Sequence, residues 1–252
     1  MQRYFIELPE INDTLELPAA IYHHAIVVMR MKVGDYFEIV AADKKVTTMQ
    51  LTKVTSNSAT ARVDYKFKHA VELPLQVTIA CGLSKKDKAD WIVQKATELG
   101  ARRFIFFRGD YSIAKWDKKK QEKKLTRLKK IICAAAEQAH RVEVPTVHYA
   151  ESIKNLPLKE YSNKIVAYEE AAKQGEKTAL ASLISKLREE KGSVTDTSLL
   201  AVFGPEGGIS TAEVQYLKDN GFTLTGLGPR IMRAETAPLY LLAALSYALE
   251  LA

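Results

Sequence analysis

Two glycine-rich turns near the carboxy-terminal end, GPEGG at 204–208 and GLGPR at 226–230, hold the residue types best suited to chemistry. Free backbone amides at a turn that opens a helix attract anions such as phosphate. Glu206 lies inside the first turn, and its carboxylate would repel a phosphate at close range. The same carboxylate suits ribose hydroxyls, an amino group or a cationic centre. The first turn therefore predicts a site for a ligand of that kind, and an ordinary tight turn is the alternative.

Each turn follows a short strand-like segment that must position it. LLAVF at 199–203 is a continuous apolar run typical of a buried parallel strand, and residues 222–225 form a second β-type run. Ser210 and Glu213 have the spacing of a capping box, which predicts a helix after the first turn. Ligands of open parallel sheets bind beyond the carboxyl ends of the strands, so we expect both turns to line one crevice.

The two turns carry a specific resemblance to a known family. GPEGGIS at 204–210 and LGPRIMRAETA at 227–237 closely resemble the paired cofactor motifs of the SPOUT methyltransferases, and in particular the ribosomal RNA small subunit methyltransferase E family. Further similar segments follow the family's order: His24 with Met29 and Arg30, KATELG at 95–100, and Glu137 and Gln138 with Arg141 and Pro145. Met29 and Met232 stand where the family more often has leucine, and residues 139–140 replace a more usual small polar pair.

The resemblance implies methylation of N3 of a specific uridine in 16S ribosomal RNA, with S-adenosylmethionine as the cofactor. The implied partner is 16S ribosomal RNA or the small ribosomal subunit. An apolar wall of Leu227, Ile231 and Met232 is expected beside the adenine ring. The full implied cofactor-binding set is Phe203, Gly204, Pro205, Glu206, Gly207, Gly208, Leu227, Gly228, Pro229, Ile231, Met232, Arg233 and Thr236.

Methyl transfer to uridine N3 also requires that N3 lose its proton. Within the implied site, Arg233 is the candidate that stabilises the anionic imide, and Glu235 is the candidate proton acceptor. Gln138 and Arg141 are expected to position the base, because an amide and a guanidinium can read a uracil edge. The alternatives are structural: Glu235 and Thr236 also suit the start of the final helix, and Arg141 suits the negative end of the helix before it.

Two domains are expected from the change of pattern near residue 72. Residues 1–72 alternate polar and apolar residues between turn signals, which predicts a small β-barrel, and the resemblance implies a PUA-like RNA-binding domain. Residues 73–252 predict an α/β fold; the resemblance implies a SPOUT-type parallel sheet with a carboxy-terminal trefoil knot. The predicted strands are 36–40, 47–51, 59–65, 75–81, 103–108 and 164–170; the predicted helices are 84–99, 117–139, 178–191 and 236–251.

Positive charge is concentrated in the middle third of the chain. The formal net charge is +7, and residues 71–150 hold 17 basic against 9 acidic side chains. A basic surface of this kind favours a polyanionic partner. The RNA-binding candidates are His24, Arg30, Lys85 and Lys95, with packing against a helix as the alternative for His24. The lysine-rich start of the 117–139 helix has two interpretations, contact with RNA or a solvated face.

Composition excludes several other classes. The start of the chain lacks the apolar core of a signal peptide, and no run approaches the ~20 apolar residues that span a bilayer, so we expect a cytoplasmic protein. Two cysteines and scattered histidines predict no metal site and no structural disulfide. The final helix, 236–251, is apolar on nearly every face and must be buried. The resemblance implies burial in a homodimer.

Two other functions fit the same residues. A SPOUT-type enzyme that methylates a ribose hydroxyl or a transfer RNA base would carry the same turns. A catalytically inert RNA-binding module of the same fold is the alternative from a different class.

Overall fold

The computed structural model describes residues 1–173, 178–189 and 197–252. The chain divides into two compact units. The first unit comprises Met1–Glu72 and Ala136–Val144, and the second comprises Leu73–Ala135 and Pro145–Ala252. Residues 136–144 thus join the first unit although they follow it by more than 60 positions along the chain.

A five-stranded sheet forms the first unit, with strand order β1-β3-β4-β5-β2. β1 and β3 are parallel, and the other neighbours are antiparallel. The predicted strands at 36–40, 47–51 and 59–65 are confirmed. The elements are β1 Arg3–Phe5, β2 Thr14–Glu16, α1 Ala19–Tyr22, which continues as a π-helical turn His23–Val28, β3 Tyr36–Val40, β4 Val46–Val54 and β5 Ala59–Phe67.

A buried arginine ties residues 140–141 to the first strand. The Arg3 side chain is only 1% exposed, and its Nε donates to Glu38 Oε2 at 2.9 Å. Its Nη1 donates to the backbone carbonyls of His140 and Arg141. A buried guanidinium needs this many acceptors because an unpaired buried charge is strongly destabilising. These bonds account for the inclusion of residues 136–144 in the first unit.

Six parallel strands form the sheet of the second unit, in the order β11-β9-β10-β6-β7-β8. The α/β architecture with a parallel sheet agrees with the sequence-based expectation. The strands are β6 Gln76–Gly82, β7 Arg103–Phe107, β8 Thr146–Ala150, β9 Asn163–Ala167, β10 Ser198–Phe203 and β11 Thr223–Thr225. The helices are α2 Lys88–Glu98, α3 Lys118–Gln138, α4 Glu169–Lys173, α5 Ala179–Glu189, α6 Thr211–Asp219 and α7 Ala237–Ser246, which continues as a π-helical turn Tyr247–Leu251.

Both faces of this sheet are covered. Along β10, Leu199, Ala201 and Phe203 belong to a core that includes residues of α2, α3 and α7. Leu200 and Val202 belong to a second core that includes residues of α6. Alternate side chains of a strand point to opposite faces, so a strand buried on both faces has to be apolar throughout. The continuous apolar run at 199–203 was therefore a reliable signal.

Helix boundaries follow the predictions within a few residues. The 84–99 prediction is found as Lys88–Glu98; Asp87 occupies the N-cap position but its side chain makes no cap hydrogen bond. Gly100 follows the helix at φ +92°, a conformation that favours glycine. The 178–191 prediction is found as Ala179–Glu189, and residues 190–191 lie outside the described residues.

The final helix is less completely buried than its composition predicted. Leu241, Leu242 and Leu245 are buried in the core, whereas the π-helical turn that follows leaves Tyr247 65% and Leu251 77% exposed. The reason is geometric: one side of the helix packs into the core beside the sheet, and the opposite side, which includes Tyr240 and Tyr247, is exposed. Among the described residues, no helix is both long and apolar enough to cross a membrane.

Substitution of Arg3 by Met is expected to destabilise the first unit by about 3 kcal/mol, because it leaves the Glu38 carboxylate buried without its partner. Urea unfolding measures the effect, and Lys53→Met, at an exposed lysine of β4, is the matched control. The double variant Arg3→Met/Glu38→Met should recover part of the loss, since an apolar pair replaces the buried ion pair at little cost, whereas the carbonyls of His140 and Arg141 lose the Arg3 donor in both variants. Full stability of the single variant would contradict this role.

Candidate functional site

The first turn begins where β10 ends, and its glycines are required by close contacts. A Cβ on Gly204 would lie 2.8 Å from the backbone carbonyl carbon of Gly208. The Gly208 amide donates to the Pro205 carbonyl at 2.9 Å, and Gly208 has a φ of +79°. Among the described residues, apart from Gly208 itself and its two chain neighbours, no heavy atom lies within 4 Å of the position that a Gly208 Cβ would take. The turn is therefore tightly closed, and its Gly208 corner is open to a ligand.

Neighbouring segments hold the first turn in place. A Cβ on Gly82, the last residue of β6, would lie 2.4 Å from Pro205 Cδ, and a Cβ on Gly207 would lie 2.8 Å from Tyr111 Cβ. The predicted capping box at the start of α6 is confirmed. The Ser210 amide donates to Glu213 Oε2 at 2.9 Å, and the Glu213 amide donates to Ser210 Oγ at 3.2 Å.

The second turn follows β11 and leads into α7. Gly228 has a φ of +97°, and a Cβ at this position would lie 3.9 Å from the Tyr240 hydroxyl. Of the expected apolar wall, Leu227 packs against the core, Met232 is half-buried and Ile231 is 71% exposed. Thr236 occupies the N-cap position of α7, and its side chain makes no cap hydrogen bond. The capping alternative for Thr236 is therefore not what the structure shows.

The strands that carry the two turns are not neighbours, because β9 lies between β10 and β11. A lysine on α2 nevertheless joins the two turns. Lys88 Nζ lies 3.1 Å from Glu206 Oε1 in the first turn and 3.0 Å from Glu235 Oε2 after the second turn. The Lys85 amide also donates to Glu206 Oε1, at 3.1 Å. Both turns therefore border one site, with a single ammonium group between two carboxylates.

This charge arrangement fixes the ionisation of all three groups. Desolvation acts to raise the pKa of Glu206, but backbone hydrogen bonds and Lys88 outweigh it and lower the pKa. The pKa of Glu235 is lowered in the same way, by its own backbone hydrogen bond and by Lys88, against desolvation. Desolvation acts to lower the pKa of Lys88, and its hydrogen bonds to Glu235 and Glu206 raise it. All three groups are therefore charged near neutral pH.

The structure changes the roles expected for two acids. Glu206 was expected to face a ligand, but its Oε1 accepts from Lys88 and from the Lys85 amide. Glu235 was the candidate proton acceptor, but a carboxylate with a lowered pKa that is paired with a lysine is a weak base. Arg233 remains exposed beside it. Sequence reasoning missed Lys88. Its position could have indicated a role, because Lys88 lies in the first turn of the helix that follows a strand ending at the crevice.

The two residues expected to position a base belong to the first unit. Arg141 is 3% exposed, and its Nε donates to Glu72 Oε2 at 3.0 Å. Glu72 also accepts from the amides of Val142 and Glu143. The Arg141 guanidinium therefore joins residues 141–143 to Glu72 within the first unit, which corrects the expectation that it reads a base. Gln138, the last residue of α3, is exposed.

The four candidates for RNA contact differ in accessibility. His24 Nδ1 lies 2.9 Å from the Tyr4 hydroxyl, which matches the packing alternative for His24. Arg30 is exposed and has a φ of +57°. Lys95 pairs with Glu98 on its own helix at 2.8 Å. Lys85 is exposed beside the first turn.

A metal centre is not indicated by the described part of the chain. Within it, no three histidine, cysteine, aspartate or glutamate side chains cluster as metal ligands. Burial raises the pKa of Cys81 to about 12, which leaves that thiol protonated and inert. The site is built from turn backbone, one arginine and the Glu206–Lys88–Glu235 bridge.

Comparisons with known proteins converge on one family. The sequence profile of a family described as RNA methyltransferase domain matches residues 71–246. The chain is 44% identical to ribosomal RNA small subunit methyltransferase E of Bacillus subtilis, over 100% of this chain and 98% of that protein. It is 28% identical to ribosomal RNA small subunit methyltransferase E 2 of Borreliella burgdorferi, over 95% of this chain and 93% of that protein.

A solved structure gives the same result for the fold. The crystal structure of a ribosomal RNA small subunit methyltransferase E from Neisseria gonorrhoeae, bound to S-adenosylmethionine, superposes with a TM-score of 0.79. The two chains are 27% identical, and the match covers 98% of this chain and 97% of that one. The likeness therefore extends over both units of the chain.

Substitution of Lys88 by Met is expected to lower the thermal midpoint by about 2–4 °C at pH 7, because two carboxylates lose their shared cation at a cost of ~1 kcal/mol. The lowered pKa values of Glu206 and Glu235 mean that the bridge is complete above their ordinary value of 4.5 and is lost as pH falls through the lowered values. Because the pKa of Lys88 is raised, the bridge persists above pH 10.5, the ordinary pKa of a lysine.

Thermal melting of the wild type and Lys88→Met across pH measures this difference, with Lys95→Met on the same helix as the control. The gap between wild type and Lys88→Met should close as pH falls through the lowered pKa values of Glu206 and Glu235. A gap that stays constant at low pH would assign the effect to packing of the lysine stem instead of its charge.

Proposed function

The chain belongs to the RNA methyltransferase domain family and, within it, to the ribosomal RNA small subunit methyltransferase E family, and on that premise we propose that it methylates N3 of a uridine in 16S ribosomal RNA. The proposed methyl donor is S-adenosylmethionine. One observation carries the proposal beyond family membership: the two glycine turns, far apart in the sheet order, border one site because Lys88 joins Glu206 to Glu235.

The turns fit the proposed cofactor. Around Gly208 and Gly228 the space that a side chain would fill is open, so the turn backbone is accessible to an adenosine. Ile231 and Met232 offer apolar surface to a purine ring. The residues proposed to hold the cofactor are those of the two turns with Phe203, Leu227, Arg233 and Thr236 around them. When bound, the cofactor supplies an electrophilic methyl group on a sulfonium.

The protein's part of the reaction is alignment and electrostatics. The base and the donor have to be held in line in a site that excludes water. Arg233 is exposed next to the second turn, and we propose that it stabilises the negative charge that develops on the uracil imide. Glu235 is assigned a positioning role, since its bond to Lys88 fixes the start of α7 beside Arg233.

The other parts of the family pattern are proposals as well. We propose that the first unit is a PUA-like RNA-binding domain that uses exposed groups such as Arg30 and Gln138. The second unit is proposed to be a SPOUT domain with a trefoil knot near its carboxy-terminal end. We propose that a homodimer buries the exposed side of α7 and of the turn that follows it, which includes Tyr240 and Tyr247. A substrate in the ribosome places the proposed activity in the cytoplasm.

Two experiments test the function. Calorimetry should detect binding of S-adenosylmethionine to the protein alone, and an absence of heat at millimolar cofactor would leave an inert RNA-binding module. Mass mapping of nucleosides after incubation with unmethylated small subunits should then show a methyl group on N3 of one uridine. A methyl group on a ribose hydroxyl, or on a transfer RNA base, would assign one of the related activities instead.

Substitution of Arg233 by Ala is expected to lower kcat about 10²-fold while cofactor affinity in calorimetry stays within a few-fold. The backbone of residue 233 is the part proposed to hold the cofactor and is kept in the variant, and the side-chain charge acts only as the imide forms. Arg233→Lys should recover part of the loss. Glu235→Gln should lower kcat less than 10-fold and should leave the pH profile unchanged, as a positioning residue would. An Arg233→Ala enzyme with wild-type kcat, or a Glu235→Gln enzyme as slow as Arg233→Ala, would overturn these assignments.

A further inference from the structure

A second cleft in the second unit has no role in the mechanism above. Its volume is about 210 Å³, and it lies between the segment that follows β6 and the start of α3. Pockets for whole small-molecule ligands are usually larger, about 300–1,000 Å³. The cleft therefore suits one ring and its immediate substituents. We call it the lysine cleft; the residues that define it are Lys85, Lys86, Lys120, Lys124, Phe106 and Trp116.

The charge of the lysine cleft is unbalanced. Four lysines and only one carboxylate, Asp87, line it. None of these four ammonium groups forms an ion pair with any residue that the structure describes, whereas Lys88 and Lys95 on the adjacent helix both do. Like charges that converge without a counter-charge repel one another, and an anion relieves that repulsion. The cleft is therefore complementary to a negatively charged group.

One wall of the lysine cleft is aromatic and fixed. The Trp116 ring packs against Tyr149, with centroids 5.8 Å apart and 28° between the planes, and against Phe106 at 5.8 Å. Trp116 is half-buried and lines the cleft. A positively charged groove beside a supported aromatic ring is the combination with which proteins bind single-stranded nucleic acid, where bases stack and phosphates meet cations. Inorganic phosphate would contact the lysines but would not stack on the Trp116 ring, whereas a nucleotide would do both.

Backbone strain is found in the same place. Lys86 has a φ of +59°, a conformation that costs a non-glycine residue roughly 1–2 kcal/mol. The strained residue lies in the loop between Gly82, which abuts Pro205, and α2. The next residue back, Lys85, donates its amide to Glu206 in the first turn. The lysine cleft therefore opens directly beside the turn proposed to hold the cofactor.

From this geometry we propose that the lysine cleft binds one nucleotide of a single-stranded segment of the RNA substrate, next to the nucleotide that is methylated. The base stacks on Trp116, and the adjoining phosphates lie on Lys120 and Lys124. The inference rests on the proposed function in taking RNA as the substrate. The lysine cleft is then the place at which the second unit itself binds that RNA.

RNA binding without cofactor provides the main test. Fluorescence anisotropy with a labelled single-stranded 16S ribosomal RNA fragment should show at least a 10-fold loss of affinity for Lys120→Ala/Lys124→Ala. The slope of log K against log salt should decrease by about 1.4, as expected for two lost phosphate contacts on a single strand. The matched control is Lys118→Ala/Lys123→Ala, which removes two exposed lysines of the same helix that do not line the cleft.

Trp116 supplies a separate readout. In a Trp91→Phe background Trp116 is the remaining tryptophan, and its fluorescence should be quenched by the RNA fragment but not by inorganic phosphate. Trp116→Leu should weaken RNA binding roughly 5- to 100-fold, the usual range for loss of one base stack. Thermal melting of each variant establishes that it is folded, and Trp116→Phe, which keeps an aromatic ring, should retain most of the affinity.

Equal loss of affinity in the two double-lysine variants would overturn the proposal, as would quenching by inorganic phosphate alone. The two proposals can fail separately. If the wild type methylates 16S ribosomal RNA and the Lys120→Ala/Lys124→Ala variant does so with unchanged kcat and KM for RNA, the cleft proposal fails and the function stands. If RNA quenches Trp116 and the variant loses affinity while no methylation occurs, the cleft stands and the function fails.

Discussion

Close backbone contact at the carboxyl ends of β6 and β10 is the constraint on which the rest of the site depends. At three glycines a side chain would collide at less than 3 Å: at Gly82 and Gly207 with another chain segment, and at Gly204 with the far end of the same turn. Their absent side chains let the end of β6, the first turn and Tyr111 touch directly. The turn is consequently held by packing, and Gly208 at its corner is exposed.

Electrostatics then joins this fixed turn to the second one. Without a cation between them, the carboxylates of Glu206 and Glu235 would repel each other. Lys88 offsets that repulsion by pairing with both. A shared cation of this kind makes the relative position of the turns depend on a residue from a third element, α2. The cost of desolvating these groups is offset because each keeps a charged partner.

The sequence predicted the elements well and the long-range relations poorly. The apolar run at 199–203 and the capping box of Ser210 and Glu213 are local signals, and both were found as predicted. The interposition of β9 between β10 and β11 is a matter of topology that no local pattern encodes. The bridge at Lys88 and the burial of Arg141 against Glu72 depend on residues brought together from distant parts of the chain. Sequence reasoning therefore missed Lys88 and expected Arg141 to position a base.

The bond between Arg3 and the carbonyls of residues 140 and 141 has a consequence for biosynthesis. During translation the first 72 residues emerge before the segment that completes their unit, and the guanidinium lacks its carbonyl acceptors until residue 141 has left the ribosome. The amino-terminal unit therefore cannot be isolated by cutting the chain at residue 72. The segment that completes the first unit directly follows α3, so the nascent chain must make all of α3 before the first unit is complete, and the second unit is complete only after residue 252.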